Sequence, residues 1–149
     1  MKKELDELLC SKYPKLFVER DLPMSQTCMC WGFSCGDGWF NIIDRLCANI
    51  QGHIDWKNRT EEVVPQVVVK QVKEKFGTLR FYISGGDEYI HGLVAMAESM
   101  SAVTCESCGA SGKLYGAGEK GITGWMHTHC EPCEEARAVE RAKRDGLEI

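Results

Sequence analysis

Four cysteines in two close pairs, Cys105-x2-Cys108 and Cys130-x2-Cys133, with 21 residues between the pairs, constrain this chain more than any other feature. Two residues between paired cysteines let a tight turn aim both sulfurs at one point. Two such pairs supply four thiolates, the donor set that zinc takes at the corners of a tetrahedron. The spacing therefore predicts one structural zinc ion on Cys105, Cys108, Cys130 and Cys133. Gly109 follows the first pair, where a residue without a Cβ relieves the turn. A metal closed by four protein ligands has no position for water or substrate, so the expected role is structural. A glycine-rich segment this short has little core, and metal binding should supply much of its folding free energy.

Between the pairs, residues 112–116 and 124–127 fit two short strands, with Gly116-Ala117-Gly118 read as a turn and not as a phosphate cradle. The second pair opens a helix expected from Pro132 to Arg144, with Pro132 in its first turn, acids beside it and Glu140–Arg144 spaced i,i+4 on its surface. Knuckle, hairpin and ligand-bearing helix in this order resemble a treble-clef zinc finger. His127 and His129 lie just before Cys130. Either is a competent zinc ligand, but four cysteines already complete the set, and both are read as surface or hairpin residues.

The rest of the chain reads as an α+β domain over residues 1–103, followed by the zinc module at 104–149. Helices are expected at 2–10, at 38–51 with Asp37 as cap, and from Asp87 to about Met100. The second would bury Trp39, Ile42, Ile43, Leu46, Cys47 and Ile50; the third Ile90, Leu93, Val94, Ala97 and Met100. Residues 11–36 read as irregular and 52–64 as a loop. A valine-rich strand from Pro65 to Lys73, a turn at Glu74–Gly77 and an alternating strand from Thr78 to Ile83 make a β-hairpin.

The chain has 149 residues, nine cysteines and a net charge of −4. Acidic residues break the N-terminus before any apolar run forms, so it is not read as a signal peptide, and no run reaches the length of a membrane helix. An odd cysteine count in that setting argues against disulfides. The expected protein is soluble and intracellular, without a membrane or small-molecule partner. Cys28, Cys30 and Cys35, with Cys47 or His53 to complete them, match no zinc spacing and are read as buried thiols, so no second ion is expected there. Trp31, Phe33, Trp39 and Phe40 suggest an aromatic cluster, and Lys70, Lys73, Lys75 and Arg80 make the hairpin locally basic. An HNH nuclease lacks its residues here: no asparagine stands between Cys108 and Cys130, and no histidine precedes His127 there. G-x-S-x-G, Walker and H-E-x-x-H motifs are absent too, and the chain is expected not to be an enzyme.

Three stretches carry a resemblance. They are Cys28 to Trp39 with its WGFSCGDGW run, Val72 to Tyr82, and the four-cysteine module with Gly124-Trp125-Met126-His127-Thr128-His129-Cys130. In this order, over about residues 13–135, they resemble a family of small phage- and prophage-encoded zinc proteins. The chain is also similar to zinc-binding anti-CRISPR inhibitors of type II-A Cas9. That likeness implies a counter-defence role in the bacterial host cytoplasm, exercised by binding a Cas9-type nuclease, and it carries over no catalytic residue. The competing expectation is a zinc-finger regulator that binds nucleic acid, which the basic hairpin favours and the acidic balance disfavours.

Overall fold

A computed structural model describes residues 1–60, 62–118, 121–144 and 146. The architecture is α+β, with four helices and two small sheets among the described residues. Residues 119, 120, 145 and 147–149, within the stretch assigned to the zinc module, lie outside that description.

Helix α1 spans Lys3–Lys12 and presses Leu9 into the core, while Leu8 stays exposed. The stretch after it is not wholly irregular. Asp6 is buried and accepts hydrogen bonds from Arg20 Nε at 3.1 Å and from the Phe33 amide at 3.2 Å. Arg20 also donates to the Cys30 carbonyl at 3.1 Å. This paired charge ties the loop into a fixed path and delivers strand β1, Phe33–Ser34. β1 lies parallel to β2, Val68–Lys75, with Phe33 opposite Val72. β2 pairs antiparallel with β3, Thr78–Ser84, from Val68↔Ser84 to Lys75↔Thr78. The hairpin forms as expected, but its first strand begins at Val68 and not at Pro65, and Glu74 and Lys75, read as turn, pair with Leu79 and Thr78. The parallel edge strand is an addition to the sequence reading, because two residues carry no readable period.

Helix α2, Phe40–Lys57, follows a short 3-10 turn at Asp37–Trp39. All six residues expected to face inward from this segment are buried. The helix runs on to Lys57, into the stretch from 52 read as a loop, because Ile54 adds another apolar position to the same stripe and is buried. Asp37 does not cap α2; its carboxylate accepts from the Lys2 amide at 2.7 Å. Asp87 does cap α3, Glu88–Ser101, accepting from the Ile90 amide at 3.0 Å. Ile90 and Ala97 are buried and Leu93 and Val94 pack against the core, but Met100 is exposed. No helix among the described residues is long and apolar enough to cross a membrane.

After α3 the chain makes a knuckle turn at residues 105–109, then β4, Lys113–Gly118, β5, Gly121–His129, and α4, Glu131–Arg144. Gly116-Ala117-Gly118 is not a turn but the end of β4. Gly116 takes φ 82° where the β4–β5 register slips between Tyr115 and Ala117, a bulge that lets both strands run longer than expected.

Candidate metal centre

The sulfurs of Cys105, Cys108, Cys130 and Cys133 all lie within 4.8 Å of one another, and those of Cys108 and Cys130 are 3.5 Å apart. A tetrahedral ion with bonds of about 2.3 Å to sulfur needs edges of about 3.8 Å. The cluster is therefore compatible with one metal ion. The knuckle supplies the first pair: the Cys105 amide donates to the Ala110 carbonyl at 2.7 Å, and the Gly109 amide to the Cys105 carbonyl at 2.9 Å. The start of α4 supplies the second pair, with the Glu134 amide donating to the Cys130 carbonyl at 3.0 Å.

The electrostatics also ask for a cation. Burial works to raise the Cys105 thiol, but the amides of Cys130, Cys108 and Ser107 outweigh it and bring the group down to about 7. Cys133 is pushed up, chiefly by its contacts with the sulfurs of Cys130 and Cys108. One thiolate is thus favoured and further ones are opposed by crowding. A divalent ion at the centre removes that opposition, which is how metal binding displaces thiol protons.

The seat of this cluster comes from the Cys28–Trp39 stretch. The Gly38 amide donates to the Glu106 carbonyl at 2.7 Å, and the Gly36 amide to Glu106 Oε1 at 2.8 Å. Buried Trp39 donates its indole N–H to the Thr104 carbonyl at 2.8 Å. A Cβ on Gly38 would overlap the backbone of Cys105, Gly109 and Glu106, so only glycine lets the knuckle come this close. From the other side, Thr128 Oγ1 donates to the Gly77 carbonyl at 2.6 Å, joining β5 to the β2–β3 turn.

His127 and His129 are hairpin residues, on β5, and not surface ones: they are 6% and 8% exposed. Glu134 on α4 faces both rings, with Oε2 at 2.6 Å from His127 Nε2 and 3.1 Å from His129 Nδ1. These two contacts prevail over burial and hold the Glu134 carboxyl below its ordinary range. The H-x-H spacing is the signal the sequence offers for this pair, since alternate residues of a strand share a face. His127 and Glu134 also line a cleft of about 600 Å³ with Tyr115, Trp125, Arg137 and Arg141.

Cys28, Cys30 and Cys35 do not join a metal cluster among the described residues. Cys35 is buried and pushed up to about 12 by burial, and Cys47 is buried in the core. Cys28 is exposed and Cys30 half-buried, so the reading of all three as buried thiols holds for Cys35 alone. Of the basic hairpin, Lys70 pairs with Glu19, Lys73 lies over Tyr82 and Lys75 over Phe76. Phe33 and Trp39 are core residues, whereas Trp31 is exposed. Comparison with family models, curated proteins and solved structures gives no match for the chain.

Proposed function

We propose that the chain is a zinc-stabilised inhibitor that binds a phage-defence nuclease, a Cas9-type enzyme, without chemistry of its own. The ion is zinc, because four cysteine sulfurs gathered within 4.8 Å of one another are the set it favours, and four protein ligands leave no open position. It holds together a treble-clef-like finger of knuckle, hairpin and helix. The observation that carries the binding role is Phe76. It sits at the tip of the β2–β3 hairpin with φ 55°, a left-handed conformation that costs a bulky residue about 1–2 kcal/mol, and the residue is 57% exposed. Strain held at an exposed aromatic points to use outside the fold. Trp125, 73% exposed, lies across a hollow of about 270 Å³ from it, with Met126 alongside. Large aromatics in a shared hollow are the usual centre of a protein interface. The nuclease as partner rests on the sequence resemblance, and the net charge of −4 suits its positive channel.

The test is DNA cleavage by purified Cas9 and guide at rising ratios of this protein. Inhibition should be complete near equimolar protein, with a complex on size exclusion, and should weaken at least tenfold in Trp125→Ala. Unchanged cleavage at large excess, with no complex, refutes the reading. A second reading, a zinc-finger regulator on nucleic acid, is favoured by Arg137 and Arg141 in the cleft beside Tyr115 and Trp125. A gel shift without Cas9, weakened steeply by salt, would put that reading first.

A further inference from the structure

We propose that His127, His129 and Glu134 form a second metal site, distinct from the four cysteines, with a coordination position open to the arginine-lined cleft. The site takes a borderline divalent ion such as Zn2+, and its open position takes an oxyanion such as phosphate. It does not rest on the nuclease reading, and it shares its arginine-lined cleft with the nucleic-acid reading.

The hydrogen bonding around His127 carries the argument. Its Nδ1 lies 2.8 Å from the Trp125 carbonyl oxygen, an acceptor, so Nδ1 carries a proton and donates it. Its Nε2 then faces Glu134 Oε2 at 2.6 Å and Arg137 Nη1 at 3.2 Å. A lone pair on Nε2 satisfies the guanidinium and leaves two acceptors in contact. A proton on Nε2 satisfies the carboxylate and leaves two donors opposed. A metal ion between Nε2 and Oε2 satisfies both ligand atoms. Arg137 then withdraws to Glu134 Oε1, already 3.6 Å away.

Distances and supporting contacts agree. His127 Nε2, His129 Nδ1 and Glu134 Oε2 lie within 4.8 Å of one another. Ligand atoms on a tetrahedral ion with bonds near 2.0 Å are about 3.3 Å apart, and the two edges of 2.6 and 3.1 Å need only a small opening. Each imidazole is oriented by its other nitrogen, His127 through the Trp125 carbonyl and His129 through Ser107 Oγ at 3.0 Å, which is how metal-bound histidines are held. Two imidazoles and one carboxylate are a donor set that leaves a fourth position vacant on zinc. His127 and Glu134 line the cleft, and the cationic Arg137, Arg141 and Arg144 on the same wall favour an anion at that position.

The experiment uses the full chain equilibrated with Zn2+ and freed of excess. Two equivalents are expected by elemental analysis, and zinc X-ray absorption should show one all-sulfur shell and one nitrogen/oxygen shell near 2.0 Å. Glu134→Gln and His129→Ala should each drop the count to one while keeping the sulfur shell. The wild-type absorption spectrum decides the matter even if a variant folds poorly. In the Co2+-loaded protein, inorganic phosphate should shift the visible bands of the second site. One equivalent with sulfur ligands alone overturns the site, as does a second ion that is sulfur-bound and lost in Cys28→Ser. Visible bands that ignore phosphate overturn the open position.

Discussion

Gly38→Ala tests how the N-terminal domain seats the knuckle. The new methyl would lie 2.7 Å from the Glu106 carbonyl oxygen and closer still to the Cys105 oxygen and the Gly109 nitrogen. All three are backbone atoms, so no side chain can rotate away, and the knuckle must shift by several tenths of an ångström or more. That displacement strains or breaks the Gly38 to Glu106 bond and the Gly36 bond to the Glu106 carboxylate. A net backbone bond contributes about 1 kcal/mol and one to a charged group about 2 kcal/mol, so the loss is roughly 3 kcal/mol. If the seat and the metal cluster stabilise each other, that loss falls on zinc affinity as about a hundredfold weakening. Chelator competition reads this directly, alongside urea unfolding of the loaded protein. Gly52→Ala is the control: nothing lies within 4 Å of a Cβ there, and a helix-interior glycine costs about 0.5–1 kcal/mol relative to alanine. It should stabilise by that amount and leave zinc affinity alone. A Gly38→Ala protein with wild-type urea midpoint and zinc affinity would refute the seating argument.

Cys105→Ser should release the ion and deprotect the amides of β4, β5 and α4 in hydrogen exchange, while α2 and β2–β3, with their own apolar core, keep theirs; uniform loss of protection would mean one shared cooperative unit. Phe76→Asn should raise stability by a few tenths to 1 kcal/mol in urea, since Asn tolerates the left-handed conformation, while lowering the proposed nuclease inhibition at least tenfold. Burial opposes ionisation of Asp44, but bonds from Lys12 and Tyr13 prevail and hold its carboxyl below the usual range. A lowered folded value means stability present above the ordinary carboxylate range and lost as pH falls through the folded value. Urea midpoints of Asp44→Asn should therefore show a flatter decline below about pH 4 than wild type.

What the sequence determines by itself is what depends on near neighbours along the chain. The two cysteine pairs, the apolar stripe of α2, the Asp87 cap and the β2–β3 hairpin each follow from spacings of two to four residues, and each is legible in the order of the residues alone. Local geometry enforces these patterns whatever packs on them. Tertiary structure decides the rest. The parallel β1–β2 pair joins residues far apart in the chain, and the seat under the knuckle brings Gly36 and Gly38 to Glu106. A glycine there looks like any loop glycine until its neighbour is known. The sequence leaves His127 and His129 as surface or hairpin residues because their burial depends on α4 packing against β5, and Glu134 gains its meaning only from that contact. Side chains that meet across elements have no period to betray them. Their chemistry is set by desolvation and by which donor faces which acceptor, and both exist only once the chain has closed.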